Sequence, residues 1–356
     1  MTYGQLLQKE NITVLITGDS LSYNRYGFDP KPRHNAYNCG VGLPSWPFAL
    51  RNRIYALDPQ FLPGEALSVD CRAVSGLDND AEVPFTAVFD GRIKTLLPGH
   101  EASFTAPVRG GQLVVYLQRR LENSCVFDVY VDGALAASDV DTAGSEDEFA
   151  GFGLMTLVLP CKEADSHTVT FRNIRGAAPK ITLAAVGSRN INVVLTGRGS
   201  ECTDYFVEHF EERIGQYRPD LLIITLGAND RANRTLQAMQ EAQVQLYAKV
   251  FACAPDCQIL HLLPPSSHNP ADPDSDVTPY CSLTRGETYD RAMEQVANDL
   301  KARQYPIETM RMQDVFAKLP VSRWRFDNIH LNPEGNRLVL EAVCGKLGIG
   351  AGEERI

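Results

Sequence analysis

The 356 residues are 44% apolar and 22% charged, with a formal net charge of -10. This is an ordinary globular composition, long enough for about two domains and a substantial core. The acidic balance argues against nucleic acid or an anionic membrane surface as the main partner, since both recruit basic patches, and no apolar run approaches the roughly 20 residues of a membrane span.

The nine cysteines are scattered. No Cys-x-x-Cys pair and no His-Glu-x-x-His helix accompanies them, so they read as free thiols of a reducing compartment rather than a metal site. The polar start, Met1 to Asn11, carries no signal peptide, and the expected location is cytoplasmic.

Ile12 to Thr17 is an apolar, β-branched run of the kind that forms a buried strand. It breaks into Gly18-Asp19-Ser20-Leu21-Ser22, placing a hydroxyl at the carboxyl edge of a strand, where α/β sheets bind ligands. Taken alone, Gly-Asp-Ser is an ordinary turn. Tyr23 to Pro44 is irregular and rich in Asn, Pro and Gly, suited to the rim of a site. Ser45 then caps a helix, Trp46 to Leu57, with Pro47 in its first turn. A strand over Ala66 to Cys71 leads to Arg72-Ala73-Val74-Ser75-Gly76.

From Leu77 the texture changes to short alternating runs separated by turn signals. Phe85 to Phe89, Gln112 to Gln118, Cys125 to Val131, Gly153 to Leu159, His167 to Arg172 and Lys180 to Val186 all read as strands. Asp90-Gly91 and Asp132-Gly133 are hairpin signals. The block predicts an antiparallel β-sandwich of jelly-roll type over 77–189. Its acidic loop, Asp139 to Glu148, lacks the EF-hand pattern and reads as solvated.

Strand–helix alternation returns after Arg189. Val193 to Leu195 is a strand followed by Gly197-Arg198-Gly199. A helix spans Asp204 to Tyr217, and Leu221 to Leu226 is the clearest buried strand, ending in Gly227-Ala228-Asn229-Asp230. A helix over Leu236 to Ala252, a strand over Gln258 to Leu263 and a long loop from Pro264 to Tyr280 follow. A helix over Arg285 to Arg303 and a strand near Ile307 to Met310 lead to Asp327-Asn328-Ile329-His330 and a last helix, Pro333 to Leu347. The expected architecture is therefore an α/β domain, 1–76 and 190–356, interrupted by the sandwich. Insertion into a surface loop is well tolerated.

Acyl transfer needs a nucleophile, a base, a group that orients the base, and oxyanion donors. Ser20 supplies a hydroxyl. His330 suits the base, since a histidine side chain can accept and return a proton near neutral pH. Asp327, three residues earlier, is within reach of the imidazole. Asn229 offers a side-chain amide beside the Ser20 backbone N–H. No P-loop and no Gly-x-Ser-x-Gly elbow is present, since Ser22 stands two positions beyond Ser20.

Gly18-Asp19-Ser20-Leu21, Gly227-Ala228-Asn229-Asp230 and Asp327-Asn328-Ile329-His330, in this order, resemble the SGNH, or GDSL, hydrolases. The resemblance spans both ends of the chain and leaves out the block between them. It implies a three-layer α/β/α flavodoxin-like domain and cofactor-free ester hydrolysis, with Ser20 nucleophile, His330 base, Asp327 orienter and Asn229 oxyanion donor. Asp19 would be structural. The family also uses a glycine N–H from a second block, for which Gly76 and Gly199 both stand as candidates.

With a β-sandwich attached, the chain resembles carbohydrate acetylesterases, and the expected substrate is an O-acetyl ester on a sugar. A lipase- or thioesterase-like acyl hydrolase and a non-catalytic glycan-binding protein are the alternatives.

Overall fold

The computed structural model describes residues 1–22, 45–67, 69–72, 94–96, 101–119, 124–144, 154–265, 283–325 and 329–350. Two compact units emerge. One comprises Met1–Leu7, Ile12–Leu50 and Val193–Ile356, the other Gln8–Asn11 and Arg51–Asn192.

The first unit is an α/β layer structure built on five strands: β1 (Asn11–Gly18), β2 (Asn190–Leu195), β3 (Leu221–Thr225), β4 (Gln258–Leu263) and β5 (Ile307–Arg311). They lie in the order β2-β1-β3-β4-β5. β1 pairs parallel with β3, β3 with β4, and β4 with β5. Every residue of β3 and β4 is buried, which explains their unbroken apolar sequences: a parallel sheet is covered on both faces. On one face Phe206, Phe210, Leu246, Val250 and Val296 pack on Leu15, Leu222, Ile224 and Ile259.

The helices of this unit are α1 (Tyr3–Leu6), α2 (Trp46–Tyr55, which runs on into the second unit), α3 (Thr203–Glu208), α4 (Phe210–Arg213), α5 (Ala228–Asn233), α6 (Leu236–Cys253), α7 (Leu283–Ala302), α8 (Met312–Phe316) and α9 (Pro333–Leu347). The continuous helix expected over 204–217 is interrupted at His209 (φ -96°, ψ 27°) and again at Ile214. The apolar spacing that suggested one helix survives because the short helices still turn Phe206, Phe210 and Ile214 into the same core.

The strand order reverses between β1 and β3, since the chain first adds β2 on one side of β1 and then β3 on the other. Such a switch point opens a crevice at the carboxyl ends of the strands. Ser20 and Asn229 follow β1 and β3 there.

The second unit holds two antiparallel sheets. One runs in the order Val69–Arg72, Glu101–Ala106, His167–Arg175, Val126–Val131, Ala134–Asp141. The other runs Leu62–Pro63, Ile181–Gly187, Gly110–Gln118, Leu154–Ala164, with Lys94–Leu96 also paired to Ile181–Gly187. Inward side chains of both share one core, in which Phe104, Phe127, Val129 and Phe171 of the first sheet join Leu113, Val115, Leu159 and Leu183 of the second. Asp132 and Gly133 both take positive φ (50° and 81°) between Val126–Val131 and Ala134–Asp141. This is the hairpin geometry that Asp-Gly favours.

Two sequence expectations change here. The strand placed at Ala66 to Cys71 is Val69–Arg72, and it pairs antiparallel with Glu101–Ala106 rather than joining the parallel sheet. Glu101–Ala106 and Ala134–Asp141 are strands that the sequence pattern did not reveal. The latter is an edge strand of small and polar residues, mostly exposed, so it lacks alternation. The expected strand at Phe85 to Phe89 lies outside the described residues.

Candidate active site

At the end of β1 the backbone must turn hard against β3. Gly18 has φ +129°, and a Cβ there would lie 1.9 Å from the Thr225 carbonyl oxygen. Only glycine satisfies both constraints. Asp19 N–H donates to that same carbonyl at 2.8 Å. The Asp19 carboxylate accepts the Leu21 N–H through Oδ1 at 3.0 Å, and Ser22 Oγ donates to the Asp19 carbonyl at 3.1 Å. Trp46, fully buried at the start of α2, donates its indole N–H to the Leu21 carbonyl at 2.8 Å. Ser20 is thus held between two anchored residues.

His330 reaches it from the far end of the chain: Nε2 lies 2.9 Å from Ser20 Oγ. The segment carrying His330 is clamped on both sides. Asn332 N–H donates to the Trp324 carbonyl at 3.0 Å, and Asn332 caps α9 by accepting the Gly335 N–H at 2.9 Å. Asn336 Nδ2 donates to the Leu331 carbonyl at 3.1 Å, and its Oδ1 accepts the Trp46 N–H at 3.0 Å. Gly335 is required because a Cβ would meet the Trp324 carbonyl oxygen at 2.0 Å. One asparagine side chain therefore ties the histidine segment to the helix that supports the serine loop.

The turn after β3 presents Gly227 at φ +116° and then α5. Asn229 is buried, and its Nδ2 donates to the Glu201 carbonyl at 2.9 Å. A primary amide has two N–H groups, so this bond orients the group while using one of them. The loop after β2 follows β1 closely, since Thr196 N–H donates to Ile16 O at 3.0 Å and Arg198 N–H to Gly18 O at 2.7 Å. A Cβ on Gly197 would lie 3.0 Å from Ser22 Oγ. Gly199 belongs to this loop. Gly76 and Asp327 lie outside the described residues.

Burial dominates the electrostatics. Asp19 is fully buried, and desolvation, reinforced by the nearby Asp230 charge, raises its pKa to about 7 against the lowering effects of the Leu21 N–H and His330. Asp19 Oδ2 has no hydrogen-bond partner among the described residues. Asp230, also buried, is raised by desolvation although Thr203 hydrogen bonds oppose the shift.

Four supports escaped the sequence reading. Trp46 and Asn336 fall within predicted helices, Asp230 closes the Gly227–Asp230 motif, and Arg231 follows it. The Arg231 guanidinium is buried against the Pro264 and Pro265 carbonyls and the Asp290 carboxylate, the last at 2.6 Å. The one sequence-level signal was their adjacency to Asn229.

Among the described residues no group of three or more His, Cys, Asp or Glu is placed to hold a metal ion. Cys125, Cys161, Cys202, Cys253, Cys257 and Cys344 are free thiols. Among the described residues no helix is long and apolar enough to cross a membrane.

A histidine against a serine hydroxyl at the switch point of an α/β sheet is an arrangement suited to acyl transfer. Residues 165–338 match the model of the GDSL-like Lipase/Acylhydrolase family. The matched stretch contains Asn229 and His330 and begins well after Ser20. A solved structure described as a peptidoglycan O-acetylesterase is similar at 12% identity, covering 97% of this chain and 93% of its own, with a TM-score of 0.45. An acetylxylan esterase from Geobacillus stearothermophilus is similar at 17% identity over 47% of this chain and 77% of its own, with a TM-score of 0.39. No curated protein matches.

Proposed function

We infer that the protein is a serine esterase in which Ser20 attacks the ester carbonyl, His330 accepts and returns the proton, and Asp327 orients the imidazole. The observation that carries this reading is the 2.9 Å approach of His330 Nε2 to Ser20 Oγ across 310 residues of sequence separation. At that distance the imidazole can take the hydroxyl proton as the carbonyl is attacked, giving an acyl-enzyme, and can then activate water to release it. The developing oxyanion is received by the Ser20 N–H, the second amide N–H of Asn229 and the N–H of Gly199. Gly199 is preferred to Gly76 because its loop follows β2, the neighbour of β1, whereas Val69–Arg72 leads into 73–76 from an antiparallel sheet.

The catalytic domain in this reading is the parallel-sheet unit, and the block of two antiparallel sheets, which takes in Leu62–Pro63 and Val69–Arg72 from the expected 1–76 segment, is an inserted β-sandwich. The shared core of its two sheets supports that description. We place the ester in the class of O-acetyl groups on a carbohydrate, by the likeness of an SGNH domain joined to a sandwich module to carbohydrate acetylesterases. Neither a cofactor nor a metal takes part in this mechanism.

The test is labelling of purified protein with a fluorophosphonate, followed by peptide mapping. Ser20 takes the label in the wild type, and Ser20→Ala and His330→Ala lose ester turnover while keeping the fold. Near wild-type turnover in either variant sinks the assignment. Acetyl esters turn over faster than decanoyl esters; the reverse order would assign the protein to the lipases or thioesterases.

A further inference from the structure

Asp230, the residue after Asn229, is completely buried, yet its carboxylate is aimed back at the loop that follows β2 rather than at Ser20 or His330. Thr203 N–H donates to both of its oxygens at 3.2 Å, and Thr203 Oγ donates to Oδ2 at 3.1 Å. Two residues earlier in that loop, the Glu201 carbonyl accepts the Asn229 amide at 2.9 Å. Neighbouring side chains on α5 therefore grip the loop 197–203 at two points. A third grip is the ion pair of Arg234, just beyond α5, with Asp204 on α3, at 2.7 Å. A buried carboxylate is expensive to keep unless its oxygens are satisfied, and here the Thr203 backbone N–H and hydroxyl offset much of that cost.

We propose that Asp230 is a positioning residue for ester hydrolysis, fixing the loop that bears Gly199 against the α5 turn that bears Asn229, so that both oxyanion donors face one point. This rests on the reading of Asn229 and Gly199 as oxyanion donors. Asp230 itself touches no reacting atom. Its effect falls on the transition state, because a donor displaced by a fraction of an ångström still admits the flat substrate carbonyl but no longer meets the oxyanion.

The experiment measures kcat and KM for p-nitrophenyl acetate in Asp230→Asn, Thr203→Val, Thr203→Ser and the Asp230→Asn/Thr203→Val pair, with Ser20→Ala alongside. Asp230→Asn keeps the shape but turns an N–H toward the Thr203 N–H; kcat falls 10- to 100-fold with KM within about twofold. Thr203→Val, nearly isosteric, lowers kcat about 3- to 10-fold, and Thr203→Ser restores it. The pair is no more than twofold slower than Asp230→Asn alone, because both changes break one contact. The inference is overturned if Ser20→Ala is inactive while Asp230→Asn keeps kcat within threefold of wild type. It is equally overturned if the two losses multiply, or if KM rises with kcat unchanged. An active Ser20→Ala overturns the underlying reading instead.

Discussion

Replacing Asp19 with asparagine removes a carboxyl group whose ionisation opposes folding. The group is fully buried, one oxygen has no hydrogen-bond partner among the described residues, and its pKa is raised from 3.8 to about 7. A raised folded-state value means the native protein holds this proton more tightly than the unfolded chain. The associated stability is complete below pH 3.8 and is lost as pH rises through about 7. Linkage over a shift of this size makes the site cost roughly 2–3 kcal/mol between pH 5 and pH 8. Asp19→Asn is neutral across that interval and retains the Oδ1 acceptor for the Leu21 N–H. The assay is urea unfolding at pH 5 and pH 8 followed by tryptophan fluorescence. The chain has 2 tryptophans, Trp46 and Trp324, both buried in the parallel-sheet unit, so the signal reports that unit. Wild type should lose roughly 2–3 kcal/mol more than the variant across the interval. Identical pH dependence in the two proteins would refute the reasoning, since it would mean that Asp19 ionises in the folded state as readily as in the unfolded chain.

Other outcomes follow from the same contacts. Asn229→Ala should lower kcat by roughly 100- to 1,000-fold with little change in KM, the usual consequence of losing one oxyanion donor; steady-state kinetics on an acetyl ester decides this. Arg231→Met strands Asp290 in a buried site and should destabilise the parallel-sheet unit by about 3–5 kcal/mol, whereas Arg231→Met with Asp290→Leu should recover most of the loss; thermal unfolding of the two variants tests it. Gly18→Ala meets the Thr225 carbonyl at 1.9 Å in a backbone region closed to alanine, so the variant should lose both folded yield and Ser20 labelling. Normal expression with normal labelling would contradict the geometry of the β1–β3 turn.

How much of this was legible beforehand follows from how far each interaction reaches along the chain. The parallel strands were readable because strands buried on both faces carry continuous apolar runs, as Leu221–Thr225 does. The Asp132-Gly133 hairpin was readable because its signal is local: two residues with positive φ. The sheet that Val69–Arg72 joins was not legible, because four residues carry no record of their partner, which is Glu101–Ala106 some thirty positions on. The break at His209 was hidden because the spacing of Phe206, Phe210 and Ile214 is the same whether one helix or several short ones carries it.

For the site, the sequence by itself determined which groups could do acyl chemistry: a serine after a strand, a histidine with an aspartate three residues before it, and an amide after another strand. These are properties of residue type and short spacing. Only the tertiary structure decided that Ser20 and His330 meet, because a 2.9 Å contact between residues 310 apart is set by the order in which strands join the sheet. It also decided that Asp19 is buried to the point of holding a proton near pH 7, and that Asp230 grips Thr203 rather than facing the nucleophile. Burial and direction are sums over neighbours from the whole chain, and no local stretch of sequence contains that sum.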